Sequence, residues 1–87
     1  MMAFVYILEC ADGTLYTGWT TDLAQRLAAH NAGRGSRYTR GRRPLRLAYW
    51  EEHPTPRQAR RREAALRRLR RAEKLSLIAS NPNEEGV

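Results

Sequence analysis

One cysteine, Cys10, excludes an internal disulfide, and the missing Cys-x-x-Cys pairs leave no basis for a structural zinc. Sparing cysteine use points to a cytoplasmic protein. Lysine is scarcer still in proportion: fifteen of the 16 cations are Arg and only Lys74 is Lys. That bias suits bidentate contact with phosphate, and high-GC coding explains it equally well. No hydrophobic run is long enough for a membrane span. The apolar stretch over residues 1–9 is short, has no basic start or small-residue cleavage site, and reads as a first strand. Acids are outnumbered 9 to 16, so the net charge is +7 and the pI about 10.7, which directs attention to a polyanion such as nucleic acid. At 87 residues, 41% hydrophobic, there is material for one thin core and not for two. The expectation is a single domain over residues 1–80 with a polar, disordered tail over 81–87.

Charge is unevenly spread along the chain. Residues 1–33 sum to −2, residues 34–56 to +4, residues 57–74 to +7 and the remainder to −2. The basic surface therefore belongs to the second half, and most uncharged polar and aromatic side chains to the first.

Two short apolar and aromatic runs, residues 4–10 and 15–20, flank Ala11-Asp12-Gly13-Thr14, and Asp-Gly between such runs signals a hairpin. A two-residue loop pairs Glu9 with Tyr16 and puts Tyr6 and Tyr16 on opposite faces. A three-residue loop with Gly13 left-handed instead sets Tyr6 against Gly18 and Leu8 against Tyr16, so that both tyrosines share a face. Thr21 or Asp22 can then cap a helix through Leu23, Arg26, Leu27 and His30, closed by Gly33. Arg26 and His30 lie together along one border of its apolar stripe. Residues 34–44 lack periodicity and read as a mobile basic loop. Residues 45–51 alternate as a third strand. Thr55-Pro56 opens a long helix through about residue 71, with Ala59, Ala65, Leu66 and Leu69 as its apolar side, and a short helix follows over 72–79. The predicted fold is α+β: a small three-stranded antiparallel sheet flanked by helices, in the order β-β-α-β-α-α.

Val5-Tyr6-Ile7 followed after an interval by Tyr16-Thr17-Gly18-Trp19 resembles the paired tripeptides that name the GIY-YIG nuclease domain. Residues 22–31, with Arg26 and His30, resemble that family's next motif, and Glu63 matches its metal-binding glutamate on a later helix. The likeness spans residues 4–78 and is greatest to the small stand-alone branch. It implies a metal-dependent endonuclease hydrolysing DNA phosphodiester bonds, with one divalent ion, Mg²⁺ or Mn²⁺, held at Glu63. Tyr6, Tyr16, Arg26, His30 and Glu63 are its implied catalytic residues. Many members carry an asparagine after the glutamate helix; here the late asparagines are Asn81 and Asn83, and neither is assigned that role.

Each residue type also has its own physical reason to be present. A single carboxylate with water and substrate oxygens suits magnesium, which gives up its waters reluctantly. Arg26 keeps its proton and suits phosphate clamping. A tyrosine titrating at about 10 is a poor base in bulk water, but a neighbouring metal, Arg26 or His30 would favour its phenolate. Tyr6 is taken as base or water-orienting group and Tyr16 as holding phosphate or water, with exchange of roles open. Gly18, Arg34, Arg37, Arg40, Arg42, Arg43, Arg60 and Arg67 are the candidate substrate-binding residues. DNA is favoured over RNA, with low sequence specificity, selection by structure, or a protein partner that supplies the target; monomer and homodimer both remain open. The alternative is a non-catalytic nucleic-acid-binding module that keeps the fold.

Overall fold

Asp12 and Gly13 turn the chain, and everything in the first half is registered from that turn. In the computed structural model, which describes residues 1–80, β1 (Ala3–Glu9) and β2 (Leu15–Thr20) pair antiparallel with Tyr6 opposite Gly18 and Leu8 opposite Tyr16. The three-residue loop is the one formed: Gly13 has φ 85°, its N–H donates to Cys10 O at 2.9 Å, and Cys10 N–H donates to Thr14 O at 2.9 Å. The left-handed backbone at Gly13 is what a Cβ would disfavour. The tail over 81–87, with Asn81 and Asn83, lies outside the described residues.

The third strand, β3 (Arg46–His53), pairs antiparallel with the other side of β1, giving the order β2-β1-β3 with β1 central and β2 at a free edge. Alternation then sorts the side chains. Ala3, Val5 and Ile7 face one way with Tyr49; Tyr6, Leu8 and Cys10 face the other with Leu45. The second face is covered by α1 (Leu23–Asn31) through Leu23 and Leu27. Asp22 caps this helix, its Oδ1 accepting from Gln25 N at 3.0 Å.

The first face is covered by α3 (Pro56–Arg67) and α4 (Arg71–Ala79), which follow a one-turn helix α2 (Arg37–Arg40) in the first crossover. Thr55 caps α3 by accepting from Gln58 N at 3.2 Å, with Pro56 in its first turn. Leu66 is buried from α3, a placement that contributes about 1.5–3 kcal/mol. Among the described residues no helix is long and apolar enough to cross a membrane.

Three expectations change. Residues 34–44 are not simply loop: Ser36 caps α2, accepting from Thr39 N at 3.2 Å, which adds one short helix to the β-β-α-β-α-α order that otherwise forms as expected. The long helix ends at Arg67, because Arg70 adopts an extended backbone that lets α4 return Leu77 and Ile78 to the core shared by Leu69. Ala65, counted on the apolar side, is exposed.

One polar cluster fixes how α3 sits. Glu51 on β3 accepts from Arg62 Nε at 2.9 Å, bonds His53 Nε2 at 2.8 Å, and accepts from the Tyr49 hydroxyl. Burial opposes the Glu51 charge, but the hydrogen bonds from Arg62, Tyr49 and His53 outweigh it and hold its carboxyl below the usual carboxylate range. Arg62 directly precedes Glu63, so this anchor sets the rotation that aims Glu63. Replacing Glu51 with Ala is expected to cost about 1–3 kcal/mol at neutral pH in urea unfolding. Because the folded carboxyl titrates low, the difference from wild type persists above the carboxylate range and shrinks as acid protonates it.

Candidate active site

The site begins with a glycine. A Cβ on Gly18 would lie 2.5 Å from Tyr6 Oη and 2.6 Å from its Cζ, so only glycine lets the Tyr6 ring lie across β2. Tyr6 is buried there, and Tyr16, two residues before Gly18, shares its face. Arg26 comes from the exposed flank of α1. Glu63 comes from α3 on the opposite side of the sheet, and because β2 is an edge strand the two sides meet there. Tyr6, Tyr16, Gly18, Arg26 and Glu63 thus line one cleft of about 290 Å³, together with Trp19, Thr20 and Thr21.

His30 stands behind this cleft and not in it. At 1% exposure it is the buried residue of α1, with Nε2 3.1 Å from Tyr6 Oη and Nδ1 2.8 Å from Thr39 Oγ1. Its ring meets the Tyr16 ring edge-on at 5.3 Å. The end of α1 is shaped to hold it. Gly33 at φ 83° donates to His30 O at 3.1 Å and Arg34 N–H donates to Ala29 O at 2.8 Å, a Schellman closure. The chain then passes so close that a Cβ on Gly35 would overlap Nδ1 and Cγ of His30. Thr39, fully buried, reaches Ser36 O with its hydroxyl at 3.4 Å. With the Thr39 proton directed there, the imidazole is assigned the Nδ1–H tautomer, whose Nε2 accepts from the Tyr6 hydroxyl.

Electrostatics set the charge of both groups. Burial, reinforced by Arg26, pushes the His30 pKa below its ordinary 6.5, so the ring is neutral at pH 7. Burial pushes the Tyr6 hydroxyl far up; Tyr16 and Glu63 add to the rise, and Arg26 and Arg67 only partly offset it. Among the protein's own groups desolvation therefore outweighs Arg26 and keeps Tyr6 protonated beside His30, which leaves the expected phenolate to a neighbouring metal.

The cations disperse. Arg67 lies beside the cleft, 3.4 Å from Glu63, and Arg60 stands over the Trp19 ring at 5.9 Å. Arg42 is committed internally, to Asp12 at 3.1 Å, to Tyr38 O at 2.7 Å and over the Tyr38 ring at 4.1 Å. Arg43 holds the carbonyls of Arg40 at 2.8 Å and Asn31 at 3.4 Å, and with Arg40 lines a separate depression. Arg34 and Arg37 are exposed. Sequence reasoning missed Gly35, Ser36, Tyr38 and Thr39. Ser36, three residues ahead of Thr39 and next to Gly35, is a capping pattern that carried the signal.

His30 supplies a pH test. Its folded pKa is depressed, so the stability it contributes is intact above about 6.5 and is lost as pH falls through the folded value, the unfolded chain binding the proton more readily. Compared by denaturant unfolding across this range, wild type should lose stability relative to His30→Gln with a slope of up to about 1.4 kcal/mol per pH unit. A constant difference would contradict a buried neutral His30.

Comparisons with known proteins follow this geometry. The GIY-YIG catalytic domain matches residues 2–76. A UPF0213 protein of Clostridium perfringens is 49% identical over 84 residues, covering 97% of this chain and 90% of its own. A UPF0213 protein of Streptococcus agalactiae is 47% identical over 83 residues, covering 95% and 94%. The solution NMR structure of the UPF0213 protein BH0048 from Bacillus halodurans superposes with a TM-score of 0.59 at 44% identity, covering 91% of this chain and 84% of that one. That of EF2693 from E. faecalis gives 0.62 at 34% identity, covering 92% and 85%. The chain belongs to the GIY-YIG catalytic domain family, a family of nucleases, among its small UPF0213 members.

Proposed function

We propose that the protein is a metal-dependent endonuclease that hydrolyses phosphodiester bonds in DNA with low intrinsic sequence specificity, selecting by structure or through a partner protein. The observation that carries this reading is the convergence of Tyr6, Tyr16, Arg26 and Glu63, from four elements and both sides of the sheet, on one cleft with His30 behind it.

The donor set fits Mg²⁺ or Mn²⁺. Glu63 is the one carboxylate lining the cleft, its side chain 18% exposed, and among the described residues no cluster of three or more His, Cys, Asp or Glu competes with it. One carboxylate leaves most positions to water and substrate, as magnesium prefers. When bound, the ion supplies Lewis-acid stabilisation of the charge that grows on the phosphate oxygens.

The remaining work falls to this chain's own groups. Arg26, always charged, clamps a non-bridging oxygen at the cleft wall. The Tyr6 hydroxyl holds the attacking water and passes its own proton to His30 Nε2 as it receives one from that water, which a neutral imidazole permits. Tyr16 orients the phosphate or the water from the opposite side. The net charge of +7 supplies affinity without reading bases.

The test is a panel of duplex, single-stranded, flapped and RNA oligonucleotides incubated with Mg²⁺, Mn²⁺ or chelator. Wild type should cut DNA only with metal, and Glu63→Ala should lose at least about 10²-fold in rate while still binding. Cleavage by Glu63→Ala at the wild-type rate would overturn the role of Glu63. No metal-dependent cleavage across the panel would move the assignment to a non-catalytic nucleic-acid-binding module.

A further inference from the structure

Tyr16 belongs to two hollows. On one side it lines the catalytic cleft; on the other it lines a second groove of about 280 Å³ with Leu15, Thr17, Tyr38, Arg67 and Lys74. Both touch β2, an edge strand of the sheet, as neighbouring segments that share Tyr16. The first segment contains Glu63 and Arg26. The second contains two cations and no acid in its lining, with Arg67 leaning on Glu63 at 3.4 Å from the neighbouring segment.

We propose that this second groove is a phosphate subsite, in which Arg67 and Lys74 hold the backbone phosphate adjacent to the scissile one. The proposal rests on the nuclease reading and adds to it where the strand runs. Three observations carry it. Lys74, the chain's only lysine, has no ion pair among the described residues, although it is half-buried beside Arg67. Burial and then Arg67 push its pKa down, the condition of a cation that lacks a counter-charge. Thr17, 3% exposed, borders the groove, and its buried side-chain oxygen has no hydrogen-bond partner among the described residues.

The groove is also held in shape from outside. Arg71, one turn before Lys74, donates to Gly13 O at 2.7 Å and so fixes the start of α4 against the hairpin turn. On the opposite wall Tyr38 stacks on Tyr16 at 5.8 Å, and Arg42 lies over the Tyr38 ring, pinned by Asp12. These contacts leave the wall aromatic and rigid and the floor cationic, which suits a sugar-phosphate backbone.

The experiment measures binding of a labelled DNA oligonucleotide by fluorescence anisotropy in chelator, across a salt series, so that turnover plays no part. Lys74→Gln should weaken binding about fivefold near physiological salt and reduce the slope of log affinity against log salt by about 0.7–0.9. Lys74→Arg should restore both. The melting temperature of Lys74→Gln should not fall, since a cation crowded by Arg67 has been removed. Inorganic phosphate at micromolar concentration should not displace the oligonucleotide. Unchanged affinity and slope in Lys74→Gln would overturn the subsite, as would a lowered melting temperature with an unchanged slope, or displacement by micromolar inorganic phosphate. The two readings fail separately. A Lys74 effect without metal-dependent cleavage counts against the nuclease assignment, and cleavage without a Lys74 effect counts against the subsite.

Discussion

The buried hydrogen bond between Tyr6 Oη and His30 Nε2 is the contact around which the site is arranged. Two polar side chains removed from water need partners, and a pair satisfied only by each other would leave the imidazole's second nitrogen bare. Thr39 fills that position at 2.8 Å, and Ser36 holds Thr39. Three glycines make the room: Gly18 for the tyrosine ring, Gly35 for the imidazole, and Gly33 for the turn that carries the chain from His30 back to Gly35. The one-turn helix α2 is therefore a support for His30, not an ornament of a basic loop.

Opposing charges are brought to this pair from elements on different sides of the sheet. Arg26 stands on α1 and Glu63 on α3, and the edge position of β2 lets both reach one cleft. Their effects on Tyr6 differ in sign, and both are smaller than the effect of burial. The hydroxyl thus keeps its proton, and the neutral imidazole behind it is the group able to take that proton. The aim of Glu63 depends in turn on Glu51 and Arg62, one residue away along α3. Cations are segregated likewise: some, such as Arg42 and Arg43, serve internal carbonyls and rings, whereas Arg67 and Lys74 face open groove.

Much of this was legible in the residues. Asp12-Gly13 offered two registers, and the one that put Tyr6 against Gly18 is the one formed, since both tyrosines then share a face. Helical spacing put Arg26 and His30 on one border of α1, and Thr55-Pro56 located the start of the helix that carries Glu63. What could not be read depends on tertiary burial. His30 looked like a cleft residue because its helix position said nothing of the Gly35 loop packed over it. The rise that burial imposes on the Tyr6 hydroxyl was hidden because neighbours can be counted in a sequence, whereas desolvation cannot. The break after Arg67 was hidden because Arg-rich sequence continues through it with good helix propensity.

At pH 7 His30 is expected to be a buried neutral imidazole whose Nε2 accepts from Tyr6. Nitrogen chemical shifts of the His30 ring, recorded by NMR on the labelled protein at pH 7 and again in Tyr6→Phe, read this directly. The expected result is a neutral ring protonated at Nδ1, with an Nε2 shift that moves when the Tyr6 hydroxyl is removed. A ring protonated at both nitrogens, or a proton residing on Nε2, would contradict it.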